Sequence, residues 1–285
     1  MPEPASQKSP TTAFVLGGGG KWGAVEVGML KALAGAGIQP DLILGTSIGA
    51  FNGAVFAAAP NSSGIDALLQ LWTDVAASGL LGASVLERAR SLARLRVAIQ
   101  DPQPLRDLLA DALPLATFEA LPVRFECVAA SIERAAEHWF TSGNLVEPLL
   151  ASAAVPGLFP PIEIDGEHFY DGGLVNSVPV DRAVELGATE IYVLQVGRLE
   201  QPLKSPERFY EPALVAFEIA RRHRFASIRD RTIDGVRMHV LPSANQVGFD
   251  DPRQLKWTDL GETGELIEGA YAASAAYLAD AGAAE

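Results

Sequence analysis

Leu42-Ile43-Leu44-Gly45-Thr46-Ser47-Ile48-Gly49-Ala50 joins a short apolar run to a Gly-x-Ser-x-Gly motif, and residues 48–58 continue as a helix-like segment. An apolar run of this length bounded by glycine reads as a buried strand, so the serine falls on a tight strand-to-helix turn. That is how a chain exposes a nucleophile. Gly45 and Gly49 support the motif because such a turn forces strained backbone angles and brings neighbouring main chain too close for side chains. Alone, the motif also occurs in ordinary loops, and its surroundings decide its meaning.

Upstream, Ala13-Phe14-Val15-Leu16 reads as a second buried strand and runs into Gly17-Gly18-Gly19-Gly20, after which residues 22–36 have helical periodicity. Backbone N–H groups at a helix start have no partner within the helix and lie at its positive end, so they stabilise an anion held against them. A serine nucleophile attacking an ester needs that device for the oxyanion of its tetrahedral intermediate, and losing one donor costs about 3 to 4 kcal/mol of barrier. Gly18, Gly19 and Gly20 are the candidate oxyanion hole, with Gly23 supporting the loop. The same glycines spell Gly18-x-Gly20-x-x-Gly23, a dinucleotide-binding fingerprint. The acidic residue that fingerprint requires at the end of the second strand is missing: Asp41 begins its apolar run, and Gly45-Thr46-Ser47 stands at the ribose position.

A third block runs Ser152-Ala153-Ala154-Val155-Pro156-Gly157-Leu158-Phe159-Pro160-Pro161, then Asp165-Gly166, then Tyr170-Asp171-Gly172-Gly173-Leu174-Val175-Asn176. With it the chain resembles the patatin-like phospholipase family, small bacterial members included: a glycine-rich oxyanion loop, a Gly-x-Ser-x-Gly elbow and an Asp-Gly-Gly turn, in that order. The resemblance covers residues 12–241 and includes the connector Asp101-Pro102-Gln103-Pro104-Leu105. One departure stands out. Trp22 holds the place where the family usually has a basic residue, with Lys21 one position earlier. The resemblance implies a three-layer α/β fold and a Ser-Asp dyad, Ser47 as nucleophile and Asp171 as its base, with no intervening histidine. Gly172 and Gly173 would let the aspartate approach the elbow. It also implies hydrolysis of acyl lipid esters, of phospholipase A or lysophospholipase type, through an acyl-enzyme. Such a base is chemically sound, because a dry pocket raises a carboxylate's pKa and strengthens its hydrogen bond to a hydroxyl.

At 285 residues and 48% hydrophobic content the chain supports one substantial α/β core. We expect a loose tail over residues 1–11, rich in Pro, Ser and Lys, and a single domain over 12–285. No stretch has the features of a signal peptide or the apolar length of a membrane span, so a soluble, cytoplasmic protein is expected. The single cysteine, Cys127, lies in a strand-like run and reads as a small core residue. No metal-ligand spacing is visible, the four histidines (His138, His168, His223, His239) are scattered, and neither metal nor other cofactor is expected.

The net charge of −13 argues against nucleic acid as partner and against simple adsorption to anionic lipid. Two arginine-rich segments qualify this. Arg88, Arg90, Arg94 and Arg96 lie among leucines, and Arg221, Arg222, Arg224, Arg229 and Arg231 lie near Phe217 and Phe225. Each is either a basic amphipathic helix making transient membrane-surface contact or a solvated face paired with its own acids. The oligomeric state is not legible.

Strand-like runs at 13–16, 42–44, 123–130, 138–141, 190–196 and 236–241 alternate with helical runs at 22–36, 48–58, 65–77 and 180–186. That alternation predicts an α/β fold, a mostly parallel sheet with helices on both faces and the site at the carboxyl ends of the first two strands. Residues 62–113, helical and rich in Leu and Arg, are the candidate substrate-covering cap, and residues 259–284 read as a terminal helix. Two rivals remain: an α/β-hydrolase with a Ser-Asp-His triad, whose elbow usually follows several strands, and a non-catalytic lipid-binding relative.

Overall fold

A computed structural model describes residues 11–78, 98, 100–196, 203, 205–206, 211–229, 233–244 and 260–282. Its centre is one eight-stranded sheet. Strands β1 (Thr11–Leu16), β2 (Leu42–Thr46), β3 (Arg124–Ser131), β7 (Ala188–Leu194) and β8 (Arg237–Leu241) are parallel in the order β3-β2-β1-β7-β8. An antiparallel extension is made by β4 (Ala136–Phe140), β5 (Ile162–Ile164) and β6 (Glu167–Asp171). Thr11, expected in the tail, opens β1 and pairs with Ala188. The short strands β5 and β6 were not anticipated. Their signal was the Asp165-Gly166 pair, both at positive φ (52° and 81°) as a two-residue hairpin turn requires.

The side chains of β1 alternate between two cores. Phe14 and Leu16 face one and Ala13 and Val15 the other, so a strand covered on both faces reads as a continuous apolar run. The first face is covered by α1 (Ala24–Gly35), α2 (Ile48–Ala58), α3 (Ser62–Ser78), α4 (Gln103–Ala112), α5 (Val146–Ser152) and α8 (Leu260–Gly282). The second is covered by α6 (Val180–Glu185) and by α7 (Glu211–Arg229), through Phe225. The expected terminal helix is α8. It packs on α1 through buried Ile267 and Ala270, with an ion pair from Lys31 to Glu268 at 2.7 Å. Within the expected cap, α3 buries Leu68, Leu71 and Trp72, while residues 79–97, with Arg88, Arg90, Arg94 and Arg96, lie outside the described residues. No helix among the described residues is long and apolar enough to cross a membrane.

The register along β3 builds the site. Cys127 and Val128 pair with β2 on one side and with β4 on the other, whereas Ala129, Ala130 and Ser131 pair with β4 and β6. Since β4 keeps one side throughout, β6 occupies the side that β2 vacates, and the two strands meet end to end. Thr46 is opposite Val128 and Asp171 opposite Ala129, so the residue after β2 faces the last residue of β6.

Candidate active site

Ser47 has φ 56° and ψ −126°, a backbone conformation that a residue with a side chain rarely adopts. It is held there by its neighbours. A Cβ on Gly45 would stand 2.4 Å from the Ala50 Cα, and one on Gly49 2.5 Å from the Leu16 carbonyl oxygen, so both positions exclude any side chain. The Ser47 N–H donates to Ser152 Oγ at 2.9 Å, and the Ser152 hydroxyl donates to the Val128 carbonyl at 2.7 Å, which ties the elbow to β3. Thr46 Oγ1 donates to the Asn176 carbonyl at 2.8 Å. Ser152 heads a stretch singled out in the sequence, but nothing there assigned it this role.

Asp171 is fully buried and accepts the Ser47 hydroxyl on Oδ2 at 2.7 Å and the Gly173 N–H on Oδ1 at 2.7 Å. Burial pushes its pKa up to about 7, against the opposing hydrogen bonds from Ser47 and Gly173 and the nearby charge of Arg221. Gly172 supplies the close approach: a Cβ there would lie 2.2 Å from the Val128 carbonyl oxygen. No histidine among the described residues bonds to either group. His138 contacts Arg134, His168 binds Glu133, His239 binds Glu190, and His223 is exposed.

The glycine loop corrects one expectation. The Gly17 N–H continues the β1–β7 ladder to the Leu194 carbonyl at 2.9 Å, and the next amide, Gly18 N–H, is taken by the Ser177 carbonyl at 3.0 Å. Gly18 is therefore a spacer pressed on Ser47, where an added Cβ would stand 3.3 Å from Ser47 Cβ. Among the described residues no acceptor takes the N–H of Gly19 or Gly20. Gly20 and Gly23 bound a short 3-10 turn into α1, and the Gly23 carbonyl accepts from Asn52 Nδ2 at 2.9 Å. Asn52 Nδ2 also donates to Glu26 Oε2 at 2.7 Å, and Trp72 Nε1 donates to Asn52 Oδ1 at 3.0 Å. Full burial pushes the Glu26 carboxyl well above the ordinary range. Neither Glu26 nor Asn52 had any local sequence signal, since each reads as one polar residue in a helix.

Arg221 is turned into the protein. It is 3% exposed, and its Nη1 donates to the Gly18 carbonyl at 2.6 Å. Its neighbours Arg222 and Arg224 bind Glu218, Glu137 and Asp181. Arg221, Arg222 and Arg224 thus meet the protein's own carboxylates, the second of the two readings of this segment, while the Arg229 side chain and Arg231 lie outside the described residues.

Ser47 opens into an apolar cavity of about 160 Å³ bounded by Gly20, Phe51, Trp72, Leu105, Ala153 and Phe159, among others. Lys21 borders it, its Nζ 4.7 Å from the centre of the Trp22 ring. Cys127 is buried away from solvent, and burial pushes its thiol up. No group of three or more His, Cys, Asp and Glu that could hold a metal occurs among the described residues.

The chain is 32% identical over 190 residues to a patatin-like phospholipase domain-containing protein of Caenorhabditis elegans, covering 66% of this chain and 14% of that one. It is 31% identical over 190 residues to a lysophospholipase of Aspergillus terreus, covering 67% and 12%. The chain therefore spans only a small part of the length of these relatives. Among solved structures it is similar to the SpcU–ExoU complex of Pseudomonas aeruginosa, with TM-score 0.43 and 15% identity, over 95% of this chain and 53% of that chain. A family model described as patatin-like phospholipase matches residues 14–184, more than half of the chain, with the elbow, the glycine loop and the aspartate turn all inside the match. This chain belongs to the patatin-like phospholipase family.

Proposed function

We propose that the protein is a serine acyl hydrolase acting on lipid esters of phospholipid or lysophospholipid type through a Ser47–Asp171 dyad. The observation that carries this reading is the direct 2.7 Å bond from the Ser47 hydroxyl to a fully buried carboxylate. A desolvated carboxylate is a stronger base than one in water, and a hydroxyl already hydrogen-bonded to it passes its proton with little reorganisation. Asp171 takes the Ser47 proton as Oγ attacks the acyl carbonyl carbon. The negative charge that develops on the carbonyl oxygen is held by the Gly19 and Gly20 amides, with the Ile48 amide at the start of α2 as a further donor. Collapse of the tetrahedral adduct breaks the bond to the leaving alcohol, which receives the proton from Asp171. Water then repeats the sequence on the acyl-enzyme, with Asp171 accepting its proton and returning it to Ser47 Oγ as the fatty acid leaves.

The apolar cavity beside Ser47 supports an acyl substrate, and at about 160 Å³ it has the size of a cavity that takes up one benzene ring. It holds the carbons nearest the ester. The lysophospholipase name of the Aspergillus relative points to the same substrate class. With net charge −13, contact with a lipid surface is transient and not driven by anionic headgroups.

Treating the protein with a fluorophosphonate and locating the adduct by mass spectrometry tests the nucleophile. We expect one adduct, on Ser47, and loss of fatty-acid release from lysophosphatidylcholine in step with labelling. Labelling elsewhere, or release that continues after Ser47 is blocked, refutes the assignment.

A further inference from the structure

We infer that Arg221 of α7 is a positioning residue for the reaction, holding and polarising the Gly18–Gly19 peptide so that the Gly19 N–H is presented to the oxyanion. This rests on the acyl-transfer reading of Ser47 and Asp171. A guanidinium that is 3% exposed needs several charge-assisted bonds to offset its lost hydration. Glu218, one turn earlier, accepts Nε at 3.1 Å and Nη2 at 2.9 Å in a two-pronged contact that fixes the plane of the group. That leaves Nη1, which reaches across 203 residues of sequence to the Gly18 carbonyl at 2.6 Å.

In a trans peptide the C=O and the following N–H point in opposite directions, so drawing the Gly18 oxygen toward Arg221 turns the Gly19 N–H away from it. The preceding peptide is fixed as well, because the Gly18 N–H is bound to the Ser177 carbonyl. Glycine at 18, 19 and 20 gives the loop no side chains with which to hold itself, and an external clamp supplies what they lack. A cation on the carbonyl also polarises the peptide and strengthens its N–H as a donor. Gly18 lies against Ser47, so the clamped peptide is beside the nucleophile. The same α7 segment presses on the aspartate turn: a Cβ on Gly173 would stand 3.0 Å from the Phe217 ring. The charge of Arg221 also lowers the Asp171 pKa while Glu218 raises it, so one ion pair faces both halves of the site.

The test compares Arg221→Met, which removes charge and donors but keeps length, with Arg221→Lys, which keeps the charge and loses the fork. For Arg221→Met we expect kcat to fall roughly tenfold to hundredfold with KM within about threefold, as for a displaced transition-state donor. Affinity for a trifluoromethyl ketone, which forms an oxyanion on the serine, falls by the same factor. The acid limb of the pH profile moves to higher pH in Arg221→Met and returns toward the wild-type position in Arg221→Lys, whose kcat recovers only in part. Wild-type kcat and ketone affinity in a folded Arg221→Met protein overturn the assignment, as does a loss of kcat with ketone affinity unchanged. If Arg221→Met does not fold, Arg221→Lys and Glu218→Gln carry the same comparison of kcat against ketone affinity. Failure of the underlying dyad shows separately in the otherwise unaltered protein, as an unlabelled Ser47 or an active Asp171→Asn.

Discussion

At Asp171 burial and hydrogen bonding act in opposite directions on one carboxyl group, and burial wins, leaving its pKa at about 7. A base must be deprotonated to work, so kcat/KM is expected to fall as pH drops, along a one-proton limb with its midpoint near that value. Asp171→Asn keeps the side chain's size and its bond from Gly173 but cannot take the proton, and kcat should fall roughly 10³-fold or more. The same residue has a stability consequence. Its folded pKa is raised above the ordinary value of 3.8, so the folded state holds a proton that the unfolded chain releases. The stability Asp171 contributes is present at acid pH and lost as pH rises through about 7. Asp171→Asn should therefore melt several degrees above the natural protein at pH 8, with the gap narrowing at pH 5. Thermal melts at both pH values check this, and an active or less stable variant at pH 8 refutes it. Ser47, with its positive φ, and Asp171 thus both bear local cost at the place where chemistry needs them.

At the scale of elements, the walls of the cavity come from four helices that are distant in sequence: Phe51 on α2, Trp72 on α3, Leu105 on α4, and Ala153 just past α5. Ala153 has the smallest of these side chains and adjoins Ser152, which supports the elbow. We expect Ala153→Phe to fill the space beside Ser47 and shift preference toward short acyl chains. The ratio of kcat/KM for nitrophenyl octanoate over acetate should drop by about tenfold or more, since each buried methylene is worth about 0.8 kcal/mol. An unchanged ratio in a folded variant places the acyl chain elsewhere. The Pro102 and Pro104 pair at the head of α4 sets where Leu105 enters this wall, which gives the proline-rich connector a structural purpose. On α7, amphipathic spacing of Arg and Phe was visible in the sequence. An apolar face that meets a sheet and one that meets a lipid have the same pattern, so the sequence left both readings open; in the fold Arg221 and Arg224 pair with Glu218, Glu137 and Asp181.

For the whole molecule, the oxyanion is assigned to backbone amides, and no ligand cluster exists among the described residues. Hydrolysis is therefore expected to survive EDTA and to gain less than about twofold from added Ca²⁺, measured as fatty-acid release. Activity lost to chelation and restored by one cation refutes that. The amino-acid sequence by itself determined the parallel strands, their helices and the elbow at Ser47, because strained turns demand glycine and strands buried on both faces demand apolar runs. Local chemistry writes those directly into residue order. The pairing of Ser47 with Asp171, 124 residues apart, came only from the family resemblance until the fold joined them. Only the tertiary structure decided that β6 takes over the edge of β3 where β2 ends, that Ser177 occupies the Gly18 amide, and that Ser152, Asn52, Glu26 and Arg221 support the loop and elbow. These last are single polar residues whose partners in other elements lie 20 to 203 positions away. Hydrogen bonds over such separations leave no periodicity or composition in the chain, and they exist only once packing has brought the partners into a place from which water is excluded.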